Sequence, residues 1–218
     1  MKRWIHTRKN DLKSKQFQWS LALGVAMLIV SLFVNFYASR YATTHASSTV
    51  TDIILSNIPF FNVSMIFTYA PILMWVFFSL ITFHEPKRVP FILKTISLFI
   101  VTRAVFISLT HLGPFVPINQ HIPWIIQQYT FGADLFFSAH TGFPFLMALI
   151  YWDRPWLRYF FIFCSVFFAI VVLLGHYHYS IDVLGAFYIT YTIFHMATII
   201  FAKDNTYFHN GNTEVKTV

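Results

Sequence analysis

Six apolar stretches separated by polar or charged residues divide the chain. They lie at about 18–38, 62–83, 90–110, 138–152, 156–176 and 180–202. A helix rises about 1.5 Å per residue, so about 20 residues cross an apolar membrane core about 30 Å thick. Five stretches reach that length, and the fourth is shortened by the polar pair Asp153-Arg154. The pattern predicts an all-α integral membrane protein with six transmembrane helices.

The composition supports the same class. The chain has 218 residues, of which 57% are hydrophobic and 11% are charged, whereas a soluble domain carries about 25% charged residues. Its single cysteine, Cys164, forms no internal disulfide. These values exclude a soluble globular enzyme, a disordered chain and a disulfide scaffold.

The basic residues predict the orientation in the membrane. Twelve Lys and Arg residues fall on one side of the predicted membrane, before the first stretch, after the second and fourth stretches, and in the C-terminal part. Only Arg40 falls on the opposite side. Because cytoplasmic loops are rich in Lys and Arg, both termini are expected in the cytoplasm. This also accounts for the net charge of +7 without a nucleic-acid partner. The expected organisation is a basic cytoplasmic tail (1–17), a six-span domain (18–202) and a cytoplasmic C-terminal tail (203–218).

The segment 111–138 has no Lys or Arg and is long for a helix connection. It contains the amphipathic run 124–129, which is compatible with a lid helix on the outer membrane surface. An ordinary ordered loop is an equal alternative.

Two charged residues lie inside the third stretch, where a charge is costly. Lys94 is near the cytoplasmic start, and its side chain is expected to extend to the interface. Arg103 is about 20 Å from that start, too deep to do the same. It is expected either to bind an anion or to form a buried ion pair.

Acid–base groups occur at the outer ends of the last three stretches. His178 and Asp182 are four residues apart and therefore share a helix face. A hydrogen bond from one ring nitrogen to the carboxylate leaves the other nitrogen as a nucleophile or base. His140 is expected at a depth similar to that of Arg103 and could protonate a departing oxygen. A purely structural hydrogen-bonded cluster is the alternative.

The residues before His140 suggest an anion site. Ser138 stands at the position of a helix N-cap, and the free N–H groups of Ala139 and His140 favour a phosphate oxygen. Arg103 would neutralise phosphate charge.

Two segments resemble known motifs, namely Asp134-Leu135-Phe136-Phe137-Ser138-Ala139-His140-Thr141 and His178-Tyr179-Ser180-Ile181-Asp182. They are similar to the motif pair of the type 2 phosphatidic acid phosphatase superfamily, and within it to the sphingomyelin synthase-like branch. The branch also has a His that corresponds to His176, and a third-span Arg and Thr that correspond to Arg103 and Thr110. A weaker similarity covers residues 52–59.

The resemblance implies roles for these residues. His178 would attack phosphorus to form a phosphohistidine, Asp182 would orient it, and His140 would protonate the leaving group and then activate the acceptor. The residues expected to bind substrate are Arg103, Thr110, Asp134, Ser138, Ala139 and His176. Neither a metal nor another cofactor is implied, so chelators are expected to leave activity unchanged.

Two positions depart from the family pattern. Ala139 replaces the usual Gly and would be strained if that position required a positive φ. Val172 occupies a position where the phosphatase branch has an Arg. The second departure favours the synthase-like branch over an ordinary lipid phosphatase.

Three functions therefore remain open. The first is a lipid phosphotransferase that moves a phospho-headgroup from a phospholipid donor to a lipid alcohol such as ceramide or diacylglycerol. The second is a lipid phosphatase or phospholipase C-type hydrolase that uses water at the same site. The third is a non-catalytic membrane protein. For either enzyme, the active site is expected on the extracytoplasmic face.

Overall fold

The computed structural model describes residues 14–115 and 134–210, and every regular element within them is helical. The α-helices are α1 Lys15–Thr44, α2 Ser64–His84, α3 Val89–Leu109, α4 Ala139–Ile150, α5 Pro155–Leu174, α6 Ser180–Ile200 and α7 Ala202–Asn210, with a 3-10 turn at Pro86–Arg88. Five are long and apolar enough to cross a membrane, and α4 has only 12 residues. The all-α membrane class is confirmed, and the count of six spans stays a prediction.

Local sequence signals explain where several helices begin. The Ser14 hydroxyl accepts a hydrogen bond from the Phe17 amide at 3.2 Å and thereby caps α1. Pro90 and Pro155 occupy the first turns of α3 and α5. A missing N–H has no consequence there, because the first amides of a helix lack intrahelical partners.

Helix α4 lies at the centre of the bundle. It packs against α5 and α6, α3 contacts α6, and α1 runs along α3, whereas α2 packs mainly on α5. Gly142 permits the close approach, because a Cβ there would lie 2.8 Å from Thr190 Oγ1 and 3.1 Å from the Phe99 ring. Most residues of α1 and α2 face outward, as expected for helices in contact with lipid.

The helices alternate in direction and give the bundle two ends. The turns at 85–88 and 151–154 meet at one of them, where Arg88 pairs with Glu85 and lies 2.5 Å from Asp153. Arg154 adds a bond of 3.1 Å to Glu85. This end, with α7, is the basic end. The opposite end, the site end, comprises residues 45–63, 110–115, 134–138 and 175–179.

Lys94 refines an interpretation made from the sequence. Its side chain extends toward the basic end, as expected, but it is covered by protein and only 5% exposed. The ammonium lies 2.6 Å from Asp204 of α7 and 2.7 Å from the Ser20 hydroxyl of α1. The charge is neutralised within the protein, and the same contact attaches α7 to the bundle.

Some sequence predictions concern residues outside the described ones. The proposed lid run 124–129 and most of the basic N-terminal tail belong to that part of the chain. Residues 203–210 of the predicted C-terminal tail are helical and belong to α7.

Candidate functional site

The turn into α6 holds the first functional pair. His178 Nδ1 lies 3.4 Å from Asp182 Oδ2, and the Tyr179 amide donates to the same oxygen at 2.9 Å. Asp182 is fully buried, and His178 is 6% exposed. Asp182 is the third residue of α6, so the amide that precedes the helix can donate to one of its carboxylate oxygens. This arrangement leaves His178 Nε2 free of the carboxylate.

The start of α4 holds the second group. The Ser138 hydroxyl accepts from the Thr141 amide at 3.4 Å, and the first intrahelical bond runs from the Gly142 amide to the Ser138 carbonyl. The amides of Ala139 and His140 precede that bond, so the helix does not use them. Such amides favour an anion.

Ala139 is not strained at this position. Among the described residues other than glycine, only His176 has a positive φ, at 52°. The left-handed conformation that would have required Gly therefore occurs in the turn before α6, not at the start of α4.

The structure brings these two groups together. The ring centroids of His140 and His178 are 6.4 Å apart. The Ser138 amide donates to the Asp182 carbonyl at 3.2 Å, which joins the start of α4 to that of α6. A phosphorus atom between the two rings would have a nucleophile on one side and a proton donor on the other.

Short helix α4 places this cluster below the level at which α3 ends. Twelve residues extend about 18 Å, whereas α3 extends about 30 Å. Both helices start or end at the basic end, so the cluster lies roughly 12 Å inside the bundle.

Arg103 anchors the segment that leads into α4. Its guanidinium donates to Asp134 Oδ2 at 3.2 Å, to the Asp134 carbonyl, and to the Phe137 carbonyl at 3.0 Å. The Ser39 hydroxyl of α1 also donates to the Asp134 carboxylate, at 3.3 Å. Arg103 is thus ion-paired and positions the first motif, and its binding of phosphate stays a prediction.

A proline in α2 explains how His140 is held. Pro71 has no N–H, so the carbonyl of Phe67, four residues earlier, lacks its helical partner. The His140 ring donates a hydrogen bond to that carbonyl. The Phe67 ring also stacks on the His140 ring with a centroid distance of 4.1 Å. One nitrogen of His140 is therefore fixed, and the other is left for proton transfer.

Asp52 supports the site but was not selected from the sequence as a site residue. Its Oδ2 accepts from the amide and hydroxyl of Ser180 at 2.7 and 2.8 Å, and its Oδ1 accepts from the amides of Ile54 and Leu55. Burial opposes the charged form, but these hydrogen bonds outweigh it and hold the pKa of Asp52 below its ordinary value. The weak similarity over residues 52–59 was the available signal.

His176 and Thr110 occupy more peripheral positions. The His176 ring lies between Phe60 and Phe115, with centroid distances of 5.7 and 5.4 Å. Within the described part of the chain, its buried Nε2 has no hydrogen-bond partner. The Thr110 hydroxyl donates to the Phe106 carbonyl of its own helix at 2.8 Å. Their predicted contacts with substrate stay predictions.

A cavity of about 220 Å³ borders the cluster. His140 and Arg103 contribute polar groups to its wall, whereas His178 does not line it. Its apolar wall comes from α1 to α5 and consists of Leu32, Pro71, Met74, Trp75, Phe99, Ile100, Ala139, Phe143, Pro144 and Phe168. Over residues 14–115 and 134–210, no group of three or more His, Cys, Asp or Glu side chains is placed to hold a metal ion.

A recessed histidine pair with a buried carboxylate and an adjacent apolar cavity defines a candidate active site in a helical membrane bundle. The profile of the PAP2 superfamily C-terminal domain matches residues 132–199, which include both motifs. This match supports the type 2 phosphatidic acid phosphatase superfamily and an enzyme of the lipid phosphatase or phosphotransferase type. No curated protein and no solved structure matches the chain.

Proposed function

We propose that the chain is a lipid phosphotransferase of the sphingomyelin synthase type. It moves a phospho-headgroup from a phospholipid donor to a lipid alcohol such as ceramide or diacylglycerol. The observation that carries the proposal is the apolar cavity that borders His140. An acceptor that carries acyl chains fits such walls better than water does.

The reaction has two halves. In the first, His178 Nε2 attacks the donor phosphorus, the bond from phosphorus to the leaving oxygen breaks, and protonated His140 gives its proton to that oxygen. Asp182 stabilises the charge that develops on the His178 ring. The amides of Ala139 and His140 stabilise the phosphoryl oxygens.

In the second half, neutral His140 takes the proton of the acceptor hydroxyl. The acceptor oxygen forms a bond to phosphorus, and the bond from phosphorus to His178 Nε2 breaks with its electron pair returning to nitrogen. His140 is then protonated and His178 is neutral, as at the start of the cycle.

A hydrolase is the second candidate, because the superfamily match supports a phosphatase as well as a phosphotransferase. Water would then replace the lipid alcohol in the second half. The predicted extracytoplasmic position of the site is part of either proposal and rests on the distribution of Lys and Arg.

The test uses purified protein in mixed micelles. Fluorescent ceramide and fluorescent diacylglycerol are supplied separately, with phosphatidylcholine or phosphatidylethanolamine as donor, and the products are separated by thin-layer chromatography. We expect a new phospholipid on one labelled acceptor and none with His178→Ala. Release of phosphate or phospho-headgroup without acceptor labelling would establish the hydrolase instead.

A further inference from the structure

A third polar side chain in the cavity wall has no assigned role. Asn35 of α1 lines the cavity together with Arg103 and His140. Arg103 is bound to Asp134 and the Phe137 carbonyl, and His140 is bound to the Phe67 carbonyl. No hydrogen bond to the Asn35 amide is formed within the part of the chain that the structure describes.

An amide without a hydrogen-bond partner costs free energy at the depth of Asn35. This residue lies roughly 14 Å before the end of α1 at Thr44, in a helix that is otherwise apolar over most of its length. A polar group at such a depth disfavours insertion and folding unless it finds a partner. An amide retained there is therefore expected to bind something that the isolated chain does not supply.

The face of α1 that carries Asn35 points to the site. Leu32, Asn35 and Ser39 share one helix face by their spacing. Leu32 lines the same cavity, and Ser39, one turn further on, hydrogen-bonds to Asp134 beside Arg103. The half-buried Asn35 thus faces the cavity that His140 and Arg103 also line.

The cavity and the nucleophile lie against different parts of His140. The His140 ring is near His178 and also lines the cavity, whereas His178 does not line it. In the proposed reaction the donor phosphorus becomes attached to His178, and the acceptor hydroxyl must then reach His140. The cavity offers that hydroxyl an apolar path to His140.

We propose that Asn35 binds the lipid-alcohol acceptor, with its amide N–H donating to a carbonyl oxygen close to the reacting hydroxyl. Ceramide and diacylglycerol both carry such a carbonyl. Because His140 serves the leaving oxygen in the first half and the entering oxygen in the second, the diacylglycerol portion of the donor lies at the same place as the acceptor. Asn35 is then a binding residue for the lipid at this place and takes no part in bond making or breaking. The inference rests on the proposed function, because it requires a phosphohistidine that awaits an acceptor.

The experiment separates the two halves of the reaction in the purified full chain. Without acceptor, the release of diacylglycerol from phosphatidylcholine or phosphatidylethanolamine in a single burst reports the first half. Titration with ceramide or diacylglycerol then gives KM for the acceptor and kcat. The variants are Asn35→Leu, the conservative Asn35→Gln, and Val34→Leu as a control on an exposed position of the same helix.

For Asn35→Leu we expect an unchanged burst amplitude at saturating donor and an acceptor KM raised about tenfold, the effect of one lost hydrogen bond. Asn35→Gln should recover part of the loss, and Val34→Leu should behave as the wild type. The acceptor whose KM rises identifies which lipid alcohol uses the contact. Thermal stability of Asn35→Leu should be equal or higher, because an unpartnered amide is removed.

Three outcomes would overturn the inference. A burst amplitude that is reduced at saturating donor would assign Asn35 to the attack on the donor or to the fold, and a lowered melting temperature would also indicate a structural role. An unchanged acceptor KM would show that Asn35 does not bind the acceptor. If the wild type labels no acceptor at all, the proposed function fails and the role of Asn35 fails with it.

Discussion

Both ends of the bundle bury charged side chains, but the two ends differ in how completely these side chains are paired. At the basic end the two buried cations among the described residues meet carboxylates, in the pairs Arg88 with Asp153 and Lys94 with Asp204. At the site end Asp182 is fully buried, and in the described part of the chain its Oδ1 has no hydrogen-bond partner. His178 keeps one ring nitrogen free of the carboxylate.

This difference distinguishes charged groups that stabilise the fold from charged groups that are available for a reaction. Neutralised pairs fix the turns and attach α7, whereas the site end keeps unused hydrogen-bonding capacity inside the protein. Such capacity costs stability and is retained where chemistry needs it. Substitutions at the site end should therefore affect the rate more than stability, and those at the basic end should do the reverse.

The largest effect is expected from His178→Ala. Removing the nucleophile should lower turnover more than about 10,000-fold, with little change in melting temperature. The transfer assay in mixed micelles measures it, with His195→Ala, an exposed position nearer the basic end, as the matched control. Full activity of His178→Ala would contradict the assignment of the nucleophile.

Asp182→Asn should reduce kcat by about 1,000-fold. The amide oxygen can still accept from the Tyr179 amide, so folding is retained. The neutral amide, however, no longer stabilises the positive charge that develops on the His178 ring as it attacks phosphorus. The measurement is kcat together with a thermal melt. An unchanged rate would remove Asp182 from the mechanism.

At the basic end, Asp204→Asn should cost about 3 kcal/mol of stability, because the buried Lys94 ammonium loses its counter-charge. We expect a lower melting temperature and an unchanged kcat at a temperature where the variant is folded. Lys203→Gln, an exposed neighbour on α7, is the control and should melt like the wild type. A loss of kcat without a loss of stability would show that the two ends are coupled.

Pro71→Ala tests how His140 is held. An amide at position 71 would bond to the Phe67 carbonyl within the helix and compete with the His140 ring. We expect kcat to fall about tenfold and the melting temperature to rise, since Ala is favourable in a helix interior. Pro90→Ala in the first turn of α3 is the control. An unchanged kcat would show that the Phe67 carbonyl does not position His140.

The smallest effect is expected from the pH dependence of stability through Asp52. Burial opposes ionisation, but hydrogen bonds from Leu55, Ser180 and Ile54 outweigh it and hold the pKa of Asp52 below its ordinary value. A carboxyl with a lower pKa in the folded state stabilises the fold at higher pH, and this contribution is lost as the pH falls through the folded value.

The wild type should therefore melt a few degrees above Asp52→Asn at pH 7. The difference should shrink progressively below about pH 4. Melting curves in detergent between pH 7 and pH 3 test this. A difference that stays constant over the whole range would mean that the Asp52 charge does not contribute.

The sequence alone determined the helices and the local geometry of the motifs. Each predicted stretch overlaps one of the helices α1 to α6, because an apolar run in a membrane must satisfy its own backbone hydrogen bonds. The cap at Ser138 is a local signal of the same kind. His178, however, lies in the turn before α6, which begins at Ser180, so its contact with Asp182 comes from that turn and not from the predicted shared helix face. These features depend on residues within one or two turns of each other.

Only the tertiary structure decided the partners that come from distant parts of the chain. Lys94 meets Asp204, Arg103 meets Asp134, and the Phe67 carbonyl meets His140. Helix periodicity predicts which face of a helix a residue occupies. It does not predict which other helix packs on that face, or how the two helices are shifted along their axes. Those choices arise from packing of the whole bundle, where Gly142 lets α4 approach its neighbours and Pro71 frees a carbonyl at the level of the site.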